Sequence, residues 1–298
     1  MEEVDYDFLY NLIMKEYDSN IAESVFSSYK SHRFMTLRVN TLKCQFEDVI
    51  KVLEQNNYKY EIYPSIPNAI IILENQNIED LDIYKNGEIY LQSLSSMLPP
   101  LVLNPISSDH ILDMAAAPGS KTSQVAALAN NEACITACEM HPMRAERLKY
   151  NLNKLGATRV TVLVKDARTL DEFFRFNKIM LDAPCSGSGT IDRNVISKQR
   201  MNKGIIKKCQ DRQISLLKKG LSLLNKGGTL VYSTCSILKD ENEDVLLKCL
   251  NNHYELVPLE INDLTNNVIL PSKLPHVLTL APNEYFEGFF VAKIKRID

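Results

Sequence analysis

Two cysteines stand directly after apolar runs that resemble strands, and they are the side chains best able to do covalent chemistry. Cys185 follows residues 178–181 and Asp182 in the sequence Asp-Ala-Pro-Cys-Ser-Gly-Ser-Gly. Cys235 follows residues 228–232 in the sequence Ser-Thr-Cys-Ser. The carboxyl ends of parallel strands meet at one edge of a sheet, where ligands bind in open α/β folds. The pattern therefore predicts that both thiols and Asp182 share one site.

A third apolar run, residues 110–114, leads into a loop of small residues before a predicted helix. The loop reads Asp-Met-Ala-Ala-Ala-Pro-Gly-Ser-Lys-Thr from Asp113 to Thr122. Small side chains let a ligand approach the backbone, and a helix start presents free amides. The loop is neither a G-x-G-x-x-G fingerprint nor a Walker A loop, so a phosphate cradle is disfavoured. A tight turn that packs helix on sheet is the alternative interpretation.

Acidic residues follow four successive strand-like runs: Asp113, Glu139, Asp166 and Asp182. A single acid at such a position is usually a helix cap or a solvated group. Four of them indicate one shared crevice, in which the acid after the second strand is placed to bind ribose hydroxyls. An adenosine cofactor without a pyrophosphate fits this pattern best, which points to S-adenosylmethionine.

A thiolate beside a methyl donor suits methylation of a pyrimidine at carbon 5, which is a poor nucleophile. Addition of a thiolate at carbon 6 makes carbon 5 enamine-like, and a base must then remove the carbon-5 proton so that the thiolate can leave. A free thiol has a pKa of about 8.5, so little thiolate is present at neutral pH unless the site lowers it. Asp182 could stabilise the ring nitrogen during addition. The pattern does not decide which cysteine attacks, and buried packing remains the alternative for each.

Composition limits the class of protein. The 298 residues carry a net charge of −3, with 45% apolar and 24% charged residues, as in ordinary globular proteins. The seven cysteines include no Cys-x-x-Cys pair and the five histidines are scattered, so we expect no metal site. The acidic start has no apolar core and no run approaches a membrane span, so we expect a cytoplasmic protein with reduced thiols and no membrane partner. We also expect a monomer.

Periodicity predicts two parts. Helices within residues 1–30 precede a strand at 35–41, a helix at 46–56 and strands at 58–63 and 69–73, which together predict a small α+β module. From about residue 109 strands and helices alternate, with helices beginning near residues 121, 142, 169 and 210. This alternation predicts a Rossmann-like, doubly wound α/β fold with a parallel sheet. We place an N-terminal RNA-binding module at residues 1–90 and a methyltransferase domain at 91–298.

A basic stretch follows the Cys185 loop. Between residues 193 and 219, nine basic residues accompany a single acid, Asp211: Arg193, Lys198, Arg200, Lys203, Lys207, Lys208, Arg212, Lys218 and Lys219. In a slightly acidic chain this favours a phosphate-contacting patch at the mouth of the site over a solvated face. A base attacked on its ring cannot react while stacked, so the target nucleotide would be unpaired or flipped out.

These motifs resemble the Sun-type (NSUN) RNA cytosine carbon-5 methyltransferases. The resemblance covers residues 37–43, 92–99 and 113–122, both cysteine motifs, and Glu-Gly-Phe-Phe at 287–290. It implies that Cys235 is the nucleophile and that Cys185 assists proton removal and product release. It also implies that S-adenosylmethionine is held by the following residues: Asp113, Ala115, Ala116, Ala117, Pro118, Gly119, Lys121, Glu139, Arg144, Asp166 and Asp182.

The resemblance further implies that Lys121 touches substrate, and we assign RNA binding to Lys121, Arg193, Lys198, Arg200 and Lys203. The segment after the glycine-rich loop departs from the family. Paired arginines, a proline and a tryptophan are common there, whereas residues 191–195 read Ile-Asp-Arg-Asn-Val and the chain has no tryptophan. The alanine-rich loop is nearer to the bacterial ribosomal-RNA branch.

We therefore predict an S-adenosylmethionine-dependent RNA cytosine carbon-5 methyltransferase, with ribosomal RNA favoured over transfer RNA. Three other hypotheses remain. A methyltransferase of proteins or small molecules would be indifferent to RNA. A non-catalytic RNA-binding protein on the same scaffold would bind RNA without the cofactor. A dithiol redox site is the least favoured, because Cys185 and Cys235 lack the close spacing of redox pairs.

Overall fold

A small antiparallel sheet occupies the N-terminal part of the chain. The computed structural model describes residues 6–74, 77–191, 201–261, 264 and 269–298. Its first elements are α1 (Tyr6–Glu16), α2 (Ser19–Ser28), β1 (Met35–Val39), α3 (Phe46–Gln55), β2 (Tyr60–Ile62), β3 (Ala69–Ile72), α4 (Asp82–Lys85) and β4 (Ile89–Leu91). The strand order is β2-β3-β1-β4, with antiparallel pairing throughout.

Amphipathic patterning explains this module. Val49 and Leu53 lie four residues apart on α3 and are fully buried. They pack in one cluster with Leu37 and Val39 of β1 and with Ile70 of β3. The helix therefore covers one face of the small sheet, as the apolar spacing predicted.

The second part of the chain builds a larger sheet. Its elements are α5 (Leu94–Leu103), β5 (His110–Asp113), α6 (Ser120–Leu128), β6 (Cys134–Cys138), α7 (Pro142–Lys154), β7 (Val160–Leu163), β8 (Phe176–Asp182), α8 (Lys203–Leu223), β9 (Leu224–Thr234), α9 (Glu243–Cys249), β10 (Tyr254–Val257), β11 (Val277–Leu280) and β12 (Phe289–Arg296). The strand order is β10-β12-β9-β8-β5-β6-β7, and β11 also pairs with β12.

The central strands are buried on both faces. In β9, Val231 belongs to one apolar cluster, whereas Leu230 and Tyr232 belong to the other. The first cluster includes Leu148 of α7, and the second includes Leu217 of α8. Helices on both faces explain the near-continuous apolar runs of these strands, and the doubly wound α/β fold is confirmed.

One edge of the large sheet differs from an all-parallel arrangement. β5, β6, β7, β8 and β9 are parallel, but β12 runs antiparallel to β9. β10 and β11 pair antiparallel with opposite halves of β12. The sheet is therefore mixed, and the last strand of the chain lies next to the strand that carries Cys235.

Several helices depart from the expected positions. No α-helix begins near residue 169; a short 3-10 turn spans Ala167–Thr169, where Asp166 accepts the amide of Arg168. α8 begins at Lys203, seven residues before the expected start, where Asn202 caps it. α5 was not predicted because it contains Pro99 and Pro100. Burial of eight of its ten residues overrides the low helix propensity of proline.

The N-terminal part packs directly on the large sheet and its loops. Arg38 of β1 is buried and donates to the side chains of Gln92 and Ser123. Tyr17 and Tyr29, from the helical hairpin α1–α2, donate their hydroxyls to carbonyl oxygens of residues 237 and 188. The division of the chain between residues 90 and 91 remains a prediction.

The described residues contain neither a candidate membrane-spanning helix nor a candidate metal-binding cluster. None of their helices combines the length and apolar character needed to cross a membrane. The same residues contain no group of three or more His, Cys, Asp or Glu side chains arranged to hold a metal ion.

Candidate active site

The two cysteines lie side by side at the carboxyl edge of the large sheet. β8 and β9 are parallel neighbours in which Asp182 pairs with Ser233, so Cys185 and Cys235 leave the sheet at nearly the same level. Their Sγ atoms are 3.0 Å apart, and both are free, partly exposed thiols. Contact with Cys235, burial and the negative charge of Glu241 raise the pKa of Cys185 well above its ordinary value.

Lys121 and Asp182 form an ion pair beside the thiols. Nζ of Lys121, in the first turn of α6, lies 2.8 Å from Oδ2 of Asp182. The hydroxyl of Ser233 donates to Oδ1 of the same carboxylate at 2.8 Å. Burial lowers the pKa of Lys121, but the negative charge of Asp182 and its hydrogen bond to Lys121 outweigh this effect, so the pKa is raised. Lys121 therefore stays a cation next to the two thiols.

Asp113 holds the loop between β5 and α6. Its carboxylate accepts the hydroxyl of Thr122 at 2.6 Å and the amide of Ala115 at 3.3 Å. Burial raises the pKa of Asp113 to about 6, although both hydrogen bonds oppose the rise. At the end of the loop, Gly119 has φ +107°, and a Cβ there would lie 2.9 Å from Leu148. The loop thus adopts a conformation and a close approach to α7 that only glycine allows.

An open pocket of about 500 Å³ lies beyond the ends of β5, β6 and β7. Four of the residues assigned to the cofactor line it: Ala115, Glu139, Arg144 and Asp166. The other assigned residues do not line this pocket: Asp113, Ala116, Ala117, Pro118, Gly119, Lys121 and Asp182. The structure therefore separates the assigned set into pocket residues, loop residues and the pair beside the thiols.

The pocket wall presents carboxylates at two adjacent strand ends. Glu139, 4% exposed, accepts the amide of His141 at 2.9 Å and lies 3.3 Å from Nη1 of Arg144. Asp166 binds the guanidinium of Arg168 through both oxygens, and these hydrogen bonds lower the pKa of Asp166. Carboxylates so placed supply the acceptors that ribose hydroxyls and an adenine amino group require, so the residues fit an adenosine cofactor.

Several residues of this wall were not among those assigned to the cofactor from the sequence. Met140, His141 and Leu216 line the pocket, as do Arg168 and Arg212. Arg168 could have been assigned to the cofactor site from the sequence, because it lies two residues after Asp166, which was already assigned there. Arg212 was counted with the basic stretch, but the early start of α8 places it against the pocket.

Two of the five residues assigned to RNA, Lys121 and Lys203, belong to the part of the chain that the structure describes. Arg193, Lys198 and Arg200 fall outside the described residues. Lys203 is exposed in the first turn of α8. Lys121 lies beside the thiols with only 12% of its side chain exposed.

Close backbone contacts fix the Cys185 loop. The amide of Gly189 donates to the carbonyl of Cys235 at 3.0 Å, and the amide of Gly288 donates to the carbonyl of Gly189 at 2.9 Å. A Cβ on Gly189 would lie 1.9 Å from the carbonyl oxygen of Gly288. The loop is therefore held between the Cys235 loop and the segment that enters β12.

Family models match most of the chain. A model described as "16S rRNA methyltransferase RsmB/F" matches residues 100–295. This chain belongs to the RsmB/F methyltransferase family. A second model, the ferredoxin-like domain of RsmF/B-like methyltransferases, matches residues 7–79. The family expected from the cysteine motifs, including its bacterial ribosomal-RNA branch, is confirmed.

Curated relatives are longer than this chain. The ribosomal RNA small subunit methyltransferase F of Shewanella piezotolerans is 32% identical over 298 residues, which cover 96% of this chain and 63% of the relative. The probable ribosomal RNA small subunit methyltransferase B of Bacillus subtilis is 32% identical over 271 residues, covering 88% of this chain and 59% of the relative. The chain thus spans about three-fifths of the length of these relatives.

Two solved structures from Pyrococcus horikoshii match nearly the whole chain. A methyltransferase homologue protein is 33% identical with a TM-score of 0.80, and the match covers 99% of this chain and 100% of that one. NSun6 with SFG has a TM-score of 0.89 at 21% identity, with 98% of each chain covered. The first supports the family, and the second shows the fold alone.

Proposed function

We propose that this protein methylates carbon 5 of cytosine in RNA with S-adenosylmethionine as the methyl donor. The observation that carries the proposal is the pair of thiols 3.0 Å apart, beside the Lys121–Asp182 ion pair. A pyrimidine is activated at carbon 5 by a thiol nucleophile, and restoring its aromatic ring needs a second group to remove a proton. Two thiols at one strand edge supply both functions, and membership of the RsmB/F family supports the same reaction.

The chain's own residues would divide the work as follows. Cys235, as the thiolate, forms a bond to carbon 6 of the cytosine, and the ring takes up the electron pair. The Lys121–Asp182 pair hydrogen-bonds to the ring as negative charge develops there. After methylation, the proton on carbon 5 passes to solvent water with the assistance of Cys185, and the bond between carbon 6 and Cys235 breaks as the double bond reforms, which returns the Cys235 thiolate.

The pocket at the ends of β5, β6 and β7 would hold S-adenosylmethionine, which supplies an electrophilic methyl group when bound. Glu139 is placed for the ribose hydroxyls and Asp166 for the adenine. Arg144 donates to the carbonyl of Ala117 at 3.0 Å and ties the small-residue loop to α7. These residues would bind and orient the donor. The hydrogen bonds that Asp113 accepts from Ala115 and Thr122 would hold the small-residue loop in its conformation.

Ribosomal RNA is the substrate class that we propose, with transfer RNA as the alternative. The names of the relatives from Shewanella piezotolerans and Bacillus subtilis refer to small-subunit ribosomal RNA, which supports this choice. The target base would be unpaired or flipped out, because its ring face must meet Cys235.

The remaining assignments belong to the same proposal. Residues 1–90 would form an RNA-binding module and residues 91–298 the methyltransferase domain, which the two family matches support. We further propose that the protein is cytoplasmic, since free thiols at a working site require a reducing compartment, and that it is a monomer.

The test is methyl transfer from radiolabelled S-adenosylmethionine to separate pools of free small-subunit ribosomal RNA, assembled small subunits and transfer RNA. Each pool is digested to nucleosides. The proposal predicts label in 5-methylcytidine from a ribosomal pool. Label in 5-methylcytidine from transfer RNA alone would reassign the substrate, and cofactor binding without label in any cytidine would overturn the proposed reaction.

A further inference from the structure

One buried carboxylate joins the two loops that carry the thiols. Glu241 is fully buried. Its Oε2 accepts the hydroxyl of Ser186 and the hydroxyl of Ser236, each at 2.6 Å. Its Oε1 accepts the backbone amide of Ser186 at 2.8 Å. Ser186 directly follows Cys185, and Ser236 directly follows Cys235, so the carboxylate bridges the immediate neighbours of both thiols.

Further hydrogen bonds fix Glu241 in turn. Gln213 of α8 donates to Oε1 of Glu241 at 3.3 Å and to the carbonyl of Pro184 at 3.0 Å. The hydroxyl of Tyr232, on β9, donates to the backbone carbonyl of Glu241 at 2.6 Å. The bridge is therefore braced by a helix on one side and by the central strand on the other.

Such a bridge is costly to disturb. Hydrogen bonds to a charged acceptor are roughly twice as strong as neutral ones, and a buried donor left without a partner loses its full solvation. Substitution of Glu241 would leave the amide of Ser186 and two hydroxyls without their acceptor. The two loops would then be free to move relative to each other.

The separation of the thiols matters for the proposed reaction. One thiol must reach carbon 6 and the other must lie near the proton on carbon 5, on the same pyrimidine ring. A displacement of about 1 Å in a reacting group can cost about 100-fold in rate. Glu241 binds the residues that follow the two cysteines, so it joins the two loops that such a displacement would separate.

We propose that Glu241 is a positioning residue that holds Cys185 and Cys235 at their working separation. This inference rests on the proposed function. Its negative charge has a second effect: with Cys235 and burial, it raises the pKa of the Cys185 thiol. Glu241 thus positions Cys185 and adds to the rise in the pKa of its thiol.

The test compares Glu241→Gln with Glu243→Gln. Glu243 is a matched control, because it is also a buried glutamate of the same segment, 5% exposed, and both its carboxylate oxygens lack a hydrogen-bond partner among the described residues. Two readouts are taken on the full chain. One is kcat and KM for RNA and S-adenosylmethionine. The other is the pH midpoint for alkylation of Cys185 by iodoacetamide, measured by peptide mass spectrometry with Cys44 as the internal reference.

For Glu241→Gln we expect kcat to fall about 10–100-fold, with both KM values within about twofold of the wild type. The alkylation midpoint of Cys185 shifts to lower pH, because a negative charge beside the thiolate is removed. Glu243→Gln changes neither. Glu241→Asp keeps the charge but is one methylene shorter, so it lowers kcat and leaves the midpoint high. If Glu241→Gln does not fold, the kcat of Glu241→Asp tests whether Glu241 positions the thiols.

A purely structural role gives a different result. Glu241→Gln, or Glu241→Asp in its place, would then lower only the melting temperature, with kcat per folded molecule as in the wild type, and that outcome overturns the proposal. Absence of methylation by the wild type would instead refute the proposed function. The alkylation midpoint still separates the two cases, because it requires no RNA.

Discussion

At the scale of single residues, the candidate site consists of two thiols in contact, an ion pair beside them and a buried carboxylate that joins their loops. Both cysteines and Asp182 could be predicted because thiols and acids after apolar runs are unusual, whereas Lys121 came from the resemblance to the family. Glu241 escaped notice, since an acid before a short helix is an ordinary solvated residue in most proteins. Its partners are the loop serines 186 and 236, and Ser186 lies 55 residues away, a contact that only the register of β8 and β9 creates.

Cys235→Ala tests the nucleophile. We expect methylation to fall by at least about 10,000-fold, because the variant lacks the sulfur atom that we propose bonds to carbon 6. Binding of S-adenosylmethionine should persist, which calorimetry can measure. Cys134→Ser, at the start of β6, is the matched control and should methylate normally. Substantial turnover by Cys235→Ala would exclude this residue as the nucleophile.

Cys185→Ala tests the release step. Without Cys185 the carbon-5 proton is removed slowly, so the bond between Cys235 and the RNA should persist after methyl transfer. A denaturing gel should show a slow-migrating protein–RNA species that RNase removes. The double variant Cys185→Ala/Cys235→Ala should lack this species. A Cys185→Ala variant that turns over freely and traps no RNA would contradict the assigned role.

At the scale of elements, the helical hairpin α1–α2 was expected only as helices and turned out to brace both cysteine loops. Tyr29 of the hairpin reaches residue 188, and Tyr17 reaches residue 237. Glu16, at the end of α1, accepts the backbone amide of Lys239 at 2.9 Å. Amphipathic spacing predicts the helices, but it cannot reveal which distant loops their polar ends contact.

Glu16 gives this hairpin a pH dependence. Burial, with help from the negative charges of Asp240 and Glu243, raises the pKa of Glu16 from 4.5 to about 7. The folded protein therefore binds this proton more tightly than the unfolded chain, and stability falls as Glu16 ionises between about pH 4.5 and 7. Glu16→Gln keeps an acceptor for Lys239 and removes the charge.

We expect Glu16→Gln to melt about 2–4 °C above the wild type at pH 8, and at the same temperature as the wild type at pH 4. Glu23→Gln, on the exposed side of α2, should show no such difference. Scanning calorimetry at the two pH values provides the comparison. An equal or lower melting temperature for Glu16→Gln at pH 8 would show that ionised Glu16 is not destabilising.

At the scale of the whole molecule, the fold class could be predicted because strand and helix periods alternate cleanly after residue 109. The edge strands could not. β10, β11 and β12 lie in a part of the chain without alternating helices, and their pairing depends on β12 returning antiparallel along β9. This return places Gly288 against Gly189, and so completes the site from the far end of the sequence.

Charge is unevenly distributed along the chain. Residues 1–90 carry 16 acidic and 8 basic residues, whereas residues 91–298 carry 21 and 26. RNA phosphates are therefore expected to meet α8 first, where Lys203, Lys207 and Lys208 are exposed. The role of the N-terminal module in RNA binding remains a prediction.

Neutralising these three lysines to glutamine should weaken RNA binding. Each lost phosphate contact on a single strand lowers the magnitude of the slope of log K against log salt by about 0.7. The matched control neutralises Lys51, Lys59 and Lys85, which are exposed on the small module. Fluorescence anisotropy over a range of salt concentrations measures both slopes. A larger loss in the control than in the α8 variant would move the RNA surface to the small module.

The proposed role of Cys235 as the nucleophile is tested most directly by trapping the reaction on 5-fluorocytidine RNA. Fluorine on carbon 5 cannot be removed as a proton, so a methylated adduct should remain bonded to the enzyme. Proteolysis and mass spectrometry then identify the attached residue. We expect one methylated nucleotide bonded to Cys235 and none bonded to Cys185. An adduct on Cys185, or methylation without any adduct, would contradict the proposed role of Cys235.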